Sequence, residues 1–181
     1  MTVTIEEHVP LLESILGEWR ERIGAAYAGY RNHVYRMVHF CFFLRSCDHE
    51  ERRKVLIAGA FHDLGLWSDG TLDYLPPSIR EATRYLEANG LAAWAPEIAL
   101  MIDMHHKLRP YADERHPLVE VFRQGDLIDF SLGLVRCGVP AAVIREVKGA
   151  FPNAGFHRFL MGRGWDWFSA HPLSPPPFVK W

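Results

Sequence analysis

The chain has 181 residues and a formal charge of −2, enough for one core of ordinary size and too little positive field to hold nucleic acid or anionic lipid. Apolar residues make up 49% and charged residues 23%, a globular balance, and no run approaches the ~20 apolar residues of a membrane span. The start, Met1 to Glu7, lacks the basic and apolar regions of a secretory signal.

The first predicted element is an amphipathic helix from Glu6 to about Arg22, with Val9, Leu12, Ile15 and Leu16 in register. A second runs from Arg31 to about Arg45 on the stripe Val34, Met37, Val38, Cys41 and Leu44. A third covers Glu51 to Asp63, with Gly65 as its stop. Trp67 to Ser78 reads as a loop, with Gly70 and Pro76-Pro77. Ser78, with Glu81 three residues on, reads as the capping box of a fourth helix that ends at Asn89-Gly90. Pro96 opens a fifth, through Ile98, Met101 and Ile102 to His105-His106, and Pro110 closes it. A sixth is expected from His116 to about Arg136 and a seventh from Ala141 to Ala150. Strand-like alternation is absent, so the expected fold class is all-α: one domain over residues 1–181, a compact bundle of six or seven helices with its core in 31–136. Residues 151–181 are a turn followed by aromatics and Pro175-Pro176-Pro177. This segment reads as a cover on the bundle, with a lid, a homodimer contact or a short polyproline stretch clamped by Trp side chains as other uses.

Cys41, Cys47 and Cys137 are odd in number and show no CxxC spacing, which suggests reduced thiols and a cytoplasmic location, not a disulfide framework. Ten histidines are many for this length, and they direct attention to His62-Asp63 at the end of an apolar, small-residue helix. His33 lies at the edge of the second helix's stripe. Asp126 falls on the stripe Val119, Phe122, Asp126, Phe130 of the sixth. Each alone has an ordinary explanation: a hydrogen-bonded core histidine, a helix-end pair, or an aspartate paired with Arg36 or Arg123. Together, on three helices, they suit a divalent metal, because imidazole and carboxylate donors with room for water favour Mn, Fe, Co, Ni or Zn. The small run Ala58-Gly59-Ala60 would let a neighbouring helix come close to such a site.

With these residues in place, the chain resembles the HD-domain superfamily of metal-dependent phosphohydrolases. The matching segments are His33-Val34-Tyr35-Arg36-Met37, His62-Asp63-Leu64-Gly65, Ile102-Asp103-Met104-His105-His106 and Gly125-Asp126-Leu127-Ile128-Asp129. The resemblance covers about Arg31 to Gly133. It implies an all-helical fold with the metal held by His33, His62, Asp63 and Asp126. Three departures stand out. Leu66 occupies a place where many relatives carry Lys or Glu, and the Glu-Asp pair of alarmone hydrolases is absent. Relatives with two metals usually have a histidine in the stretch that here reads Leu75-Pro76-Pro77-Ser78-Ile79-Arg80, so one ion is expected and a second is not favoured.

The expected function is hydrolysis of a small phosphate ester, with a nucleotide as one candidate, by a water activated at the metal. Asp63 and His105 are the expected catalytic groups. Arg36, His106, Lys107 and Arg109 are the expected contacts to a phosphorylated small-molecule substrate, with Tyr111 beside them. Asp129, one turn from Asp126, would orient a ligand histidine. Asp69 and Asp73 are the nearby acids that could replace the missing helper. Two other expectations stay open: a different metalloenzyme chemistry on the same fold (hydration of a small molecule or iron-dependent oxygenation), and a non-catalytic domain that binds a ligand or a protein.

Overall fold

The computed structural model describes residues 4–181 and is all-helical among them. Ten α-helical segments follow in order: α1 (Pro10–Glu18), α2 (Arg20–Ile23), α3 (Tyr27–Leu44), α4 (His49–Phe61), α5 (Gly65–Ser68), α6 (Leu75–Ala88), α7 (Ala95–Met104), α8 (Pro117–Phe130), α9 (Ala141–Ala150) and α10 (Phe156–Ala170). Two of them, α2 and α5, are single turns, so eight are longer, one more than the upper expectation. No helix of the described residues is long and apolar enough to cross a membrane.

Helix α3 is the axis of the molecule. An almost unbroken run from Gly29 to Cys41 is buried, polar residues included, which is the signature of a helix surrounded on all sides. Helix α8 lies along one flank of α3, α4 along another, and α7 joins α4 to α8; α6 packs behind α4 and α7, and α1 rests on α4. Two glycines set these approaches. A Cβ at Gly125 of α8 would collide with Cys41 Sγ, and one at Gly59 of α4 would lie 2.9 Å from Val38 Cγ1. The small-residue run on α4 thus has the expected use, and α3, α4 and α8 come close enough for short side chains to meet between them.

Helix starts follow local chemistry. Prolines occupy the first turn of α1, α6, α7 and α8, where a missing N–H costs nothing. Asp48 caps α4 by accepting from Glu51 N, and Glu51 closes the reciprocal bond.

Several expected boundaries are corrected. The first helix is not continuous: it breaks at Trp19, turns through α2 and ends at Gly24, whose φ of +63° is left-handed. Helix α3 begins earlier than Arg31. Gly65 does not stop a helix but opens the α5 turn, and it is glycine because a Cβ there would meet the Tyr74 carbonyl. Ser78 is not a cap. Helix α6 starts at Leu75, and Ser78, buried inside it, accepts from Gly65 N at 2.8 Å. The sixth expected helix ends at Phe130, because Leu132 and Gly133 adopt positive φ. The aromatic segment folds as α10 rather than as irregular cover. Beyond it the chain turns at Pro176–Val179 and lies against His106 to Leu108, where Leu108 N donates to Lys180 O and Lys180 Nζ pairs with Asp103. Trp167 stacks on His171, and its indole N–H donates to the Ser174 carbonyl.

Candidate metal centre

The end of α4 places His62 and Asp63 where α3, α7 and α8 converge. Helix α3 contributes His33, the end of α7 contributes His105 and His106, and α8 contributes Asp126 and Asp129. His33, His62, Asp63, His105, Asp126 and Asp129 are all buried.

The proton positions on the histidines follow from their outer partners. His33 Nδ1 donates to Asp129 Oδ2 at 2.7 Å, His62 Nδ1 to Gly59 O at 2.8 Å, and His105 Nδ1 to Ile102 O at 2.7 Å. A neutral imidazole that donates through Nδ1 presents a bare lone pair at Nε2. Burial pushes the His33 imidazolium down to about 4 even though Asp129 favours it, so this ring is neutral at ordinary pH. With both rings neutral in this tautomer, the Nε2 atoms of His33 and His62 face each other at 3.0 Å as two lone pairs. That contact is repulsive unless a cation lies between the rings and the carboxylates beside them.

The carboxylates make the same demand. Asp63 Oδ2 lies 3.3 Å from His62 Nε2 and 3.8 Å from His33 Nε2; its Oδ1 lies 3.6 Å from His105 Nε2. Asp126 Oδ1 is 3.4 Å from His33 Nε2 and 3.8 Å from His62 Nε2. Asp63 Oδ1 and Asp126 Oδ2 are the two buried side-chain polar atoms of the described residues with no hydrogen-bond partner, an arrangement that normally costs free energy. The ordinary explanation for Asp126, an arginine partner, is ruled out by geometry. Arg36 is spent on Asp129 and Arg123 on Glu120. Burial raises the Asp126 carboxyl from its ordinary 3.8 to about 7, with His105 opposing and the charges of Asp63 and Asp129 adding to the rise. Three overlapping triads could each hold an ion: His33-His62-Asp126, His62-Asp63-His105 and His105-His106-Asp126. The donor set fits a divalent metal, and the four ligands expected from the sequence stand together.

Asp129 has the orienting position expected of it. Burial alone would raise its pKa, but the hydrogen bonds and charges of His33 and Arg36 hold it well below the carboxylate range. Arg36 is therefore corrected as a substrate contact. Its Nε and Nη2 donate to Asp129 at 2.5 and 2.8 Å, its Nη1 to the Phe151 carbonyl at 3.0 Å, and the residue is buried. It fixes the residue that fixes His33.

The other expected substrate contacts separate. His106 lines the cavity beside the cluster. Lys107 does not: it lies in a smaller neighbouring cavity with Arg123, and its Nζ donates to Trp181 O. Arg109 is exposed and lines neither cavity. Of the candidate helper acids, Asp69 is exposed and paired with Arg80 at 2.6 Å, and Asp73 is exposed; neither lines the cavity.

Residues not foreseen complete the site. Tyr74 Oη lies 2.7 Å from His106 Nε2 and 3.5 Å from His105 Nε2. Burial, with the charges of Asp63 and Asp126, keeps its phenol protonated. Phe156 stacks on the His33 ring at 4.3 Å between centroids. His157 Nε2 donates to the Asp129 carbonyl and its Nδ1 accepts from Asn153. Tyr74 sat in a segment read as loop, and the other two in a segment read as irregular, so neither had a helical register to flag it. No family model, no curated protein and no solved structure matches the chain.

Proposed function

We propose that this chain is a metal-dependent hydrolase of the HD type, acting on a small molecule at the His33-His62-Asp63-Asp126 cluster. The observation that carries the reading is the 3.0 Å approach of the His33 and His62 Nε2 atoms beside two orphaned carboxyl oxygens, Asp63 Oδ1 and Asp126 Oδ2. A divalent ion there would act as a Lewis acid and lower the pKa of a water towards ~7. His33, His62, Asp63 and Asp126 hold that ion, and Asp129 and the Gly59 carbonyl fix the rings of His33 and His62. Asp63 Oδ1 and His105 Nε2 lie 3.6 Å apart, which gives a proton from water a place to go. Tyr74, kept protonated and 2.7 Å from His106, can donate a hydrogen bond to a substrate oxygen as charge develops on it.

Phosphate esters are the substrates that the resemblance implies. A second reading has a specific observation in its favour. Arg36, Lys107 and Arg109 do not reach the cavity, so a phosphate dianion would meet few of the charges that phosphoryl chemistry uses. Hydrolysis or hydration of a less charged group at the same centre suits the geometry better.

The test is a reconstitution with Mn, Fe, Co, Ni or Zn, followed by a screen of aryl phosphate monoesters and diesters, carboxylic esters, amides and nitriles. The proposal expects turnover that disappears on chelation and in His62→Ala. It also expects Tyr74→Phe to lose about 10²-fold in kcat while keeping its metal. Turnover that survives metal removal overturns it. Two irons per chain with oxygen uptake would replace hydrolysis by oxygenation, and metal-independent tight binding of one compound without turnover would replace it by the ligand-binding reading.

A further inference from the structure

The metal cluster is the floor of a cavity of about 490 Å³ that opens between α10, the C-terminal segment and the α5–α6 turn. This lies in the lower half of the range for small-molecule sites, ~300–1,000 Å³. Its walls are mostly carbon, with Leu66, Tyr74, Phe130, Leu160, Phe168 and Phe178 among the lining side chains. No Asn, Gln, Ser, Thr or Lys lines it, so no amide, ammonium or aliphatic hydroxyl side chain is there to read a base edge or satisfy sugar hydroxyls.

The polar groups sit at the two ends. At the floor are His33, Asp63, His106 and Asp126. Nearer the surface is Arg163, the one arginine on the wall, whose Nη2 donates to the Gly70 carbonyl. His157 also lines the cavity, but both of its ring nitrogens are taken by Asp129 and Asn153. With a divalent ion balanced by Asp63 and Asp126, Arg163 is the one remaining fixed charge. The cations of the neighbouring cavity, Lys107 and Arg123, are held by Trp181 O and Glu120. Phe130, Met161 and Phe168 line the cavity and are themselves exposed, so its mouth is apolar as well.

We propose that this cavity selects a compact substrate with an apolar body, an aromatic ring or branched alkyl group, and a single polar head carrying at most one negative charge. The head is directed to the His/Asp cluster and the body lies on Leu160, Phe168 and Phe178. The orientation of the head rests on the metal-dependent reading; the selection of the body does not. Nucleotides and sugar phosphates are excluded by the same walls, because their hydroxyls and multiple charges would be stripped of water and left without partners.

The test compares two probes with one head. Acetohydroxamate and benzohydroxamate share a monoanionic metal-binding group and differ by a ring. Affinities are measured by calorimetry on the metal-loaded full chain, with adenosine monophosphate as the charged, hydroxyl-rich comparison. The proposal expects benzohydroxamate to bind at least about ten-fold tighter than acetohydroxamate and adenosine monophosphate more weakly than either. It expects the ring's advantage to fall towards none in Leu160→Asn. Phe178→Ala, on a different segment, makes the same comparison if Leu160→Asn fails to fold. Equal affinity for the two hydroxamates, an advantage untouched by both variants, or a preference for the nucleotide overturns the proposal. If the ring's advantage persists in His62→Ala without metal, the apolar pocket stands and the metal-dependent reading falls.

Discussion

The floor and the wall of the cavity are built on opposite principles. The floor is assembled from four helix segments of the bundle, and three of its histidines, His33, His62 and His105, are locked from behind by a carboxylate or a carbonyl. Much of the wall is instead one late helix and a C-terminal segment, and the exposed side of that helix includes Met161 and Trp165, each 75% accessible. Chemistry needs atoms held to a fraction of an ångström, which dense packing provides. Selection among substrates needs shape and polarity, which can be changed on an appended element without disturbing the bundle. The contrast implies that substitutions in the floor alter stability and metal together, whereas those in the wall alter recognition alone.

The largest expected break comes from Arg36→Met. It leaves the Asp129 carboxylate buried without its guanidinium partner, and should cost about 3–5 kcal/mol in a denaturant titration. A loss below about 1 kcal/mol would mean that the pair is not part of the frame. Asp129→Asn is isosteric and tests orientation more gently. It should keep the fold and weaken metal affinity about 10–100-fold, measured by competition with a chelator.

Proton competition gives a smaller, graded effect. Metal-free, the Asp126 carboxyl is raised from 3.8 to about 7 by burial, while His33 stays neutral to about 4. Between these values the Asp126 proton must leave before an ion binds, so affinity should fall by at least about ten-fold per pH unit below 7. The sign for stability follows from the raised pKa. The contribution of protonated Asp126 is present below pH 3.8 and is lost as the pH rises through about 7. Added metal should therefore raise the melting temperature more at pH 8 than at pH 6. The smallest effect belongs to the wall. Phe168→Ser, at a half-exposed position, should change stability by no more than about 0.5 kcal/mol and leave metal content unaltered.

The same division decides how much could be read from the sequence. The all-helical class and the grouping of His33, His62, Asp63 and Asp126 were legible, because α3, α4 and α8 carry regular stripes and the polar residues interrupt them. Arg36 was misjudged because a charged residue on a buried face is silent about which acid it serves; Asp129, three residues past Asp126, competed for it and won through a bidentate fit. Lys107 and Arg109 follow His105-His106 directly, but the chain turns away after Met104 and separates them from the cavity. Helix α10 was illegible because Gly162 and Gly164 sit within it and its aromatics face both the cavity and solvent, which blurs any stripe. Ser78 shows the limit of capping signals: a well-placed Ser-x-x-Glu lost to Pro76-Pro77, which had already started the helix.

The most direct test of the account is the metal content of the purified chain, measured by mass spectrometry beside His62→Ala. About one transition metal ion per chain, lost in the variant while the helical content is kept, is the predicted result. No bound metal after reconstitution with each of Mn, Fe, Co, Ni and Zn, or metal retained in full by the variant, would contradict it.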